Sequence, residues 1–84
     1  MASQSDIEEV CRGALKAGKF VYLSHRGVAR NVYPYTIKEG RLYMWCSLHP
    51  DRDVESIYLF NIGEITISNT SLVDYGFWPS DFAP

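Results

Sequence analysis

The chain has 84 residues, 46% apolar and 21% charged with a net charge of −2, which fits one small globular domain and excludes a disordered chain. No apolar run approaches the ~20 residues of a membrane span, and Met1 to Asp6 lack the basic start and apolar core of a secretory signal, so a cytoplasmic protein with no membrane contact is expected. The two cysteines, Cys11 and Cys46, are too few for a disulfide-stapled scaffold.

Ser5 to Ala17 reads as an amphipathic helix. Ser5 and Glu8 have the spacing of a capping box, and Ile7, Val10, Cys11, Ala14 and Leu15 form one apolar stripe. Acids sit in the first turn (Asp6, Glu8, Glu9), while Arg12, Lys16 and Lys19 lie toward the far end, as the helix dipole favours. Gly18 supplies a left-handed stop.

Beyond Gly18 the pattern becomes that of strands, expected at about 19–25, 30–37, 41–47, 54–60 and 64–68. Turns are read at Arg26-Gly27 and Glu39-Gly40, and Pro34 marks its strand as an edge or a bulge. Leu48 to Asp53 is a loop broken at Pro50, and Asn61-Ile62-Gly63 joins the last two strands. Short strands at this spacing predict a mainly β fold, a meander closing or nearly closing into a small barrel. The tail, 69–84, carries Leu72, Val73, Tyr75, Phe77, Trp78 and Phe82, and is expected to pack back on the barrel. Most of the tyrosines are expected in the core.

Charge is unevenly distributed. Val10 to Arg41 holds seven bases and one acid, Glu39, while the rest holds nine acids and one base, Arg52. Arg26, Arg30 and Arg41 fall near strand ends, with Tyr22, Tyr33, Tyr35, Tyr43 and Trp45 between them. Guanidinium forks and aromatic faces suit phosphates and bases, while the acidic total argues against broad duplex binding. A confined anion or nucleotide site is the chemistry this pattern admits.

Catalytic and metal patterns are weaker. Cys46-x-x-His49 has the spacing of half a zinc site, but Cys11 and His25 lie on other elements and Cys11 belongs to the apolar stripe. Asp51, Asp53 and Glu55 begin like a calcium loop, yet Ser56 and Ile62 stand where glycine and glutamate are required. Ser24 and His25 are adjacent on a strand and face opposite ways, which separates a nucleophile from its base. The sequence therefore predicts no enzyme, no metal and no cofactor.

The order of motifs resembles the WYL domain, a ligand-sensing module of bacterial regulators. Ala14 to His25 is similar to that family's opening helix end and first strand, and Arg30-Asn31-Val32-Tyr33-Pro34-Tyr35 to its R-x-V-x-P step. Gly40-Arg41-Leu42-Tyr43-Met44 stands where the family has its glycine turn and Trp-Tyr-Leu, Glu55 to Ile62 where it has an arginine-rich strand, and Phe77-Trp78-Pro79 resembles the aromatic segment after it. The resemblance runs from about Ile7 to Phe82. It implies an Sm-like five-stranded barrel behind one helix, and regulation, of transcription in this family, through a small ligand or nucleic acid. Leu42 and Met44 replace the tryptophan and leucine, His25 stands at a usual tyrosine, and Glu55, Tyr58 and Asn61 occupy positions of ligand-contacting arginines. The chain is too short for a preceding winged helix, so transcriptional regulation would need a partner. The expected site is His25, Arg26, Arg30, Arg41 and Tyr43, binding an anionic small molecule, nucleotide or short nucleic acid. The alternative is a protein-interaction or assembly module, a homodimer included, using the edge at Val32 to Tyr35 and the aromatic tail.

Overall fold

The computed structural model describes residues 3–82, so Met1, Ala2 and the last two residues of the predicted tail lie outside the described residues. One helix, α1 (Gln4–Lys16), precedes strands β1 (Lys19–His25), β2 (Val28–Lys38), β3 (Arg41–Cys46), β4 (Glu55–Tyr58) and β5 (Ile62–Ser71). Short 3₁₀ turns follow β4 at Leu59–Asn61 and β5 at Leu72–Tyr75.

The helix begins earlier than Ser5. Ser3 is the cap: its Oγ accepts from the Asp6 N–H at 3.2 Å, and the Asp6 carboxylate accepts from the Ser3 N–H at 3.4 Å. Burial of Ile7 explains the shift. Starting at Ser3 lets the Ile7 N–H reach the Ser3 carbonyl at 3.0 Å; a start at Ser5 would leave that buried donor without a partner. Ile7, Cys11, Ala14 and Leu15 are buried as the stripe predicts, while Val10 is half-buried. Ala17 caps the C-terminus, and Gly18, at φ 74°, turns the chain into β1.

All five strands form one antiparallel sheet in the order β4-β3-β2-β1-β5. Two-residue turns join β1 to β2 and β2 to β3, with positive φ at Arg26 and Gly27 and again at Glu39 and Gly40. These are the left-handed pairs that match the twist of hairpin strands.

β2 is shared between two partners. Residues Val28 to Val32 pair with β1, and Val32 to Lys38 pair with β3, with a bulge between Pro34 and Thr36. Pro34 thus lies past the end of the β1 ladder, where its missing N–H deprives no neighbour. The segment predicted as an interaction edge, Val32 to Tyr35, belongs to an interior strand, although Tyr33 to Tyr35 have no ladder partner on the β1 side; the outermost strands are β4 and β5.

The sheet curls strongly. β4 and β5 lie at opposite edges, yet only Leu59–Asn61 connects them, a turn rising ~2 Å per residue. The Leu59 N–H reaches the Gly40 carbonyl at 3.0 Å, and the Asn61 carbonyl accepts from the Arg26 N–H at 3.3 Å. One short turn therefore touches both hairpin tips, and β2, which runs between those tips, must bend around the core. Closure stops there: no ladder joins β4 to β5 among the described residues, so the meander, expected to close or nearly close, forms a sheet that is not closed. The 3₁₀ turn takes up residues that a β4 of 54–60 would have used, leaving four residues, too short an edge to reach β5.

Phe20, Val21, Leu23, Val32, Leu42, Met44, Cys46, Ile57 and Ile62 join the helix stripe in one core. Beyond Ser71, where β5 still pairs with Lys19, the tail packs inward. Phe77 stacks on Tyr33 at 4.6 Å between ring centroids and lies 5.0 Å from Trp45 and 5.7 Å from Phe20. Phe82 is buried, whereas Trp78 is 72% exposed. None of the six tyrosines is in the buried core, contrary to expectation; Tyr33 packs against it partly buried, while Tyr22, Tyr43 and Tyr58 lie on the opposite face of their strands. No helix among the described residues is long and apolar enough to cross a membrane.

Candidate functional site

Strand alternation sorts the five predicted site residues. Leu23, Val32 and Cys46 point to the core, and Arg30 lies directly across from Leu23, with His25 two residues farther along β1. His25 and Arg30 therefore rise at the rim of the core face, with Arg26 in the adjoining turn. On β3, Leu42, Met44 and Cys46 are buried, so Arg41 and Tyr43 occupy the opposite face. There the Arg41 guanidinium lies 4.4 Å from the Tyr58 ring centroid and donates to the Tyr58 hydroxyl, while Tyr43 lines a depression with Tyr35, Thr36, Lys38 and Val54. The structure brings His25, Arg26 and Arg30 together and places Arg41 and Tyr43 elsewhere.

The first group is electropositive and short of partners. Among the described residues Arg30 Nε is buried without a hydrogen-bond partner, and its Nη1 donates to the Cys46 Sγ at 3.9 Å. Among the described residues no ion pair engages Arg26 or Arg30. Burial holds the His25 pKa below its ordinary 6.5, and the charges of Arg30 and then Arg26 push it the same way. Ser24, on the opposite face, accepts from the Glu64 N–H at 2.8 Å.

Beside Arg30 lies a grouping of which the sequence showed one half, Cys46 and His49, without its third member. Cys46, His49 and Glu55 bring one donor atom each within 4.8 Å of one another. His49 Nδ1 is 2.9 Å from one Glu55 oxygen, and Arg52 donates to the other at 3.1 Å. Successive turns fold the loop back: His49 N–H to the Cys46 carbonyl and Arg52 N–H to the His49 carbonyl, both at 3.1 Å. The legible part was Cys46-x-x-His49. Glu55 enters through register, since it pairs with Met44, whose side chain shares a face with Cys46. The other cysteine is separate: Cys11 is buried in the helix stripe, and burial pushes its thiol up to about 12.

Compared with known proteins, the chain matches no family model, no curated protein and no solved structure.

Proposed function

We propose that this chain is a regulatory binding domain of the WYL type, built as an incompletely closed Sm-like barrel, and that His25, Arg26 and Arg30 receive an anionic ligand at the rim of its core face. One observation carries this reading: among the described residues the Arg30 guanidinium has a buried Nε with no acceptor, beside two further basic groups and no opposing ion pair. Buried charged donors are ordinarily paired, and leaving one unpaired is expensive. A carboxylate or phosphate oxygen supplies the missing acceptor, and the planar fork suits bidentate contact. The strand order, the bent β2 and the short link between edge strands support the barrel part of the reading. No catalytic step is assigned.

The test is a titration with inorganic phosphate, a nucleoside monophosphate and a short single-stranded oligonucleotide at low and moderate salt, followed by amide shifts. Saturable shifts centred on Arg26 and Arg30, with Arg41 and Tyr43 undisturbed, are expected. Absence of a saturable shift with all three probes overturns the reading.

A second reading, assembly through protein contacts, is favoured by the open outer edge of the ten-residue β5, since an unpaired strand edge offers a row of backbone donors and acceptors. Sizing across concentration tests it: a mass independent of concentration at one chain removes self-assembly.

A further inference from the structure

Cys46, His49 and Glu55 present a thiol, an imidazole and a carboxylate from the end of β3, the loop after it and the start of β4. The geometry points to a mononuclear site for zinc or a zinc-like divalent cation at these three side chains. Donor chemistry supports it first: sulfur, nitrogen and oxygen together suit borderline-soft zinc, whereas magnesium and calcium take oxygen sets. Spacing supports it next. Bonds of ~2.0–2.3 Å in a tetrahedron place donors ~3.3–3.8 Å apart, so a set already within 4.8 Å needs a contraction of at most ~1.5 Å. His49 Nδ1 and Glu55 are already 2.9 Å apart, so the adjustment is toward the Cys46 sulfur, and His49 is only partly enclosed in its loop.

The surroundings are those a bound cation requires. Arg52 holds the far oxygen of Glu55 at 3.1 Å, which leaves the oxygen nearer His49 as a single donor. Trp45 Nε1 donates to the Pro50 carbonyl at 3.4 Å and ties the loop to the sheet. Binding deprotonates the Cys46 thiol, releasing its proton to solvent; the thiolate and carboxylate then neutralise the two positive charges of the metal. The Arg30 guanidinium, 3.9 Å from the sulfur, is placed to donate to that thiolate. Three protein ligands leave the fourth tetrahedral position for water or a ligand atom, the open arrangement and not the sealed structural one. The site does not rest on the anion reading, and phosphate titration of metal-free protein tests that one separately.

The experiment uses the reduced, metal-free full chain titrated with Co²⁺ and then Zn²⁺. One equivalent of cobalt is expected to bind, with a near-ultraviolet thiolate-to-cobalt charge-transfer band and visible bands of tetrahedral intensity, all bleached by an equivalent of zinc. Cys46→Ser removes the charge-transfer band and Cys11→Ser retains it. Because Cys46 is buried and its variant is open to misfolding, the deciding variant is His49→Ala, checked for an unchanged fold by circular dichroism. It should weaken cobalt binding by more than the ~10–100-fold that loss of an outer-shell partner brings. No saturable binding, weak octahedral-type bands, a charge-transfer band that follows Cys11, or unchanged affinity in His49→Ala would each overturn the site.

Discussion

Replacing Arg30 with methionine separates a binding arginine from one that only covers the core. The substitution keeps an unbranched apolar stem at a position paired across the strands with Leu23, while removing the guanidinium, whose Nε is buried without a partner among the described residues. A buried polar group left unsatisfied costs ~1–3 kcal/mol. Arg30 is only half-buried, so the lower end applies and a gain of ~1 kcal/mol in stability is expected. The long contact to Cys46 at 3.9 Å offsets little of this. For a domain of this size ~1 kcal/mol moves Tm by ~4–8 °C, within reach of a thermal melt paired with urea unfolding. Anion binding should move the other way. Loss of a charge-assisted hydrogen bond of ~1.5–3 kcal/mol weakens phosphate affinity roughly 10–100-fold. The His25 pKa should also rise, because one of the two arginines depressing it is gone. A variant that is less stable than the parent and binds phosphate unchanged would refute the reasoning, since that is the behaviour of an arginine held for its packing.

Three further outcomes follow from the geometry. Because the folded His25 pKa lies below the unfolded value of 6.5, its contribution to stability is intact above that pH and declines as pH falls through the folded value; His25→Asn should flatten that part of the urea-midpoint profile, and saturating phosphate should raise the His25 pKa measured by NMR. Phe77→Ala removes the stack on Tyr33 and the contacts to Trp45 and Phe20, and should destabilise by ~2–4 kcal/mol in urea unfolding with loss of near-ultraviolet dichroism; a change within ~0.5 kcal/mol would mean the tail is not part of the core. A β-carbon at Gly63 would meet the Ser24 Oγ at 2.8 Å, so Gly63→Ala should cost ~1–2 kcal/mol by displacing the hydroxyl from the Glu64 N–H, and the double variant with Ser24→Ala should be less destabilised than the sum of the two single changes.

The fold was legible where local chemistry decides it. The stripe from Ile7 to Leu15 and the glycines after Arg26 and Glu39 act over a few residues, so α1 and both hairpin turns could be placed from the sequence. The N-cap expected at Ser5 is two residues late: Ser3 also stands three residues before an acid, and burial of Ile7, a tertiary fact, selects it. The limits of β4 and β5 are tertiary too. Nothing in Leu59-Phe60-Asn61 itself demands a 3₁₀ turn; it forms because its two ends bond to Gly40 and Arg26, which are distant in sequence and near only after β2 bends. The same contacts shorten β4 and leave the sheet open.

The site divides along the same line. Arg26, Arg30 and Arg41 occupy one basic run, and sequence reasoning treated proximity to strand ends as proximity in space. Face, not end, is what matters, and the bulge between Pro34 and Thr36 resets it: Val32 and Pro34 point inward before the bulge, and Ile37 after it. That slip is one reason Arg30 belongs to the core rim while Lys38 and Tyr43 border a depression on the other side. Glu55 shows the complementary failure. Read against an arginine-rich strand, it looks like a charge reversal that would cancel the basic pocket. In space its carboxylate is already held by Arg52 at 3.1 Å and His49 at 2.9 Å, so it forms no ion pair with Arg30. The residue that appeared to subtract from the proposed anion site thus leaves Arg30 without an ion pair and joins a donor set with Cys46, whose sulfur lies 3.9 Å from Arg30 Nη1 and within 4.8 Å of the other two donors.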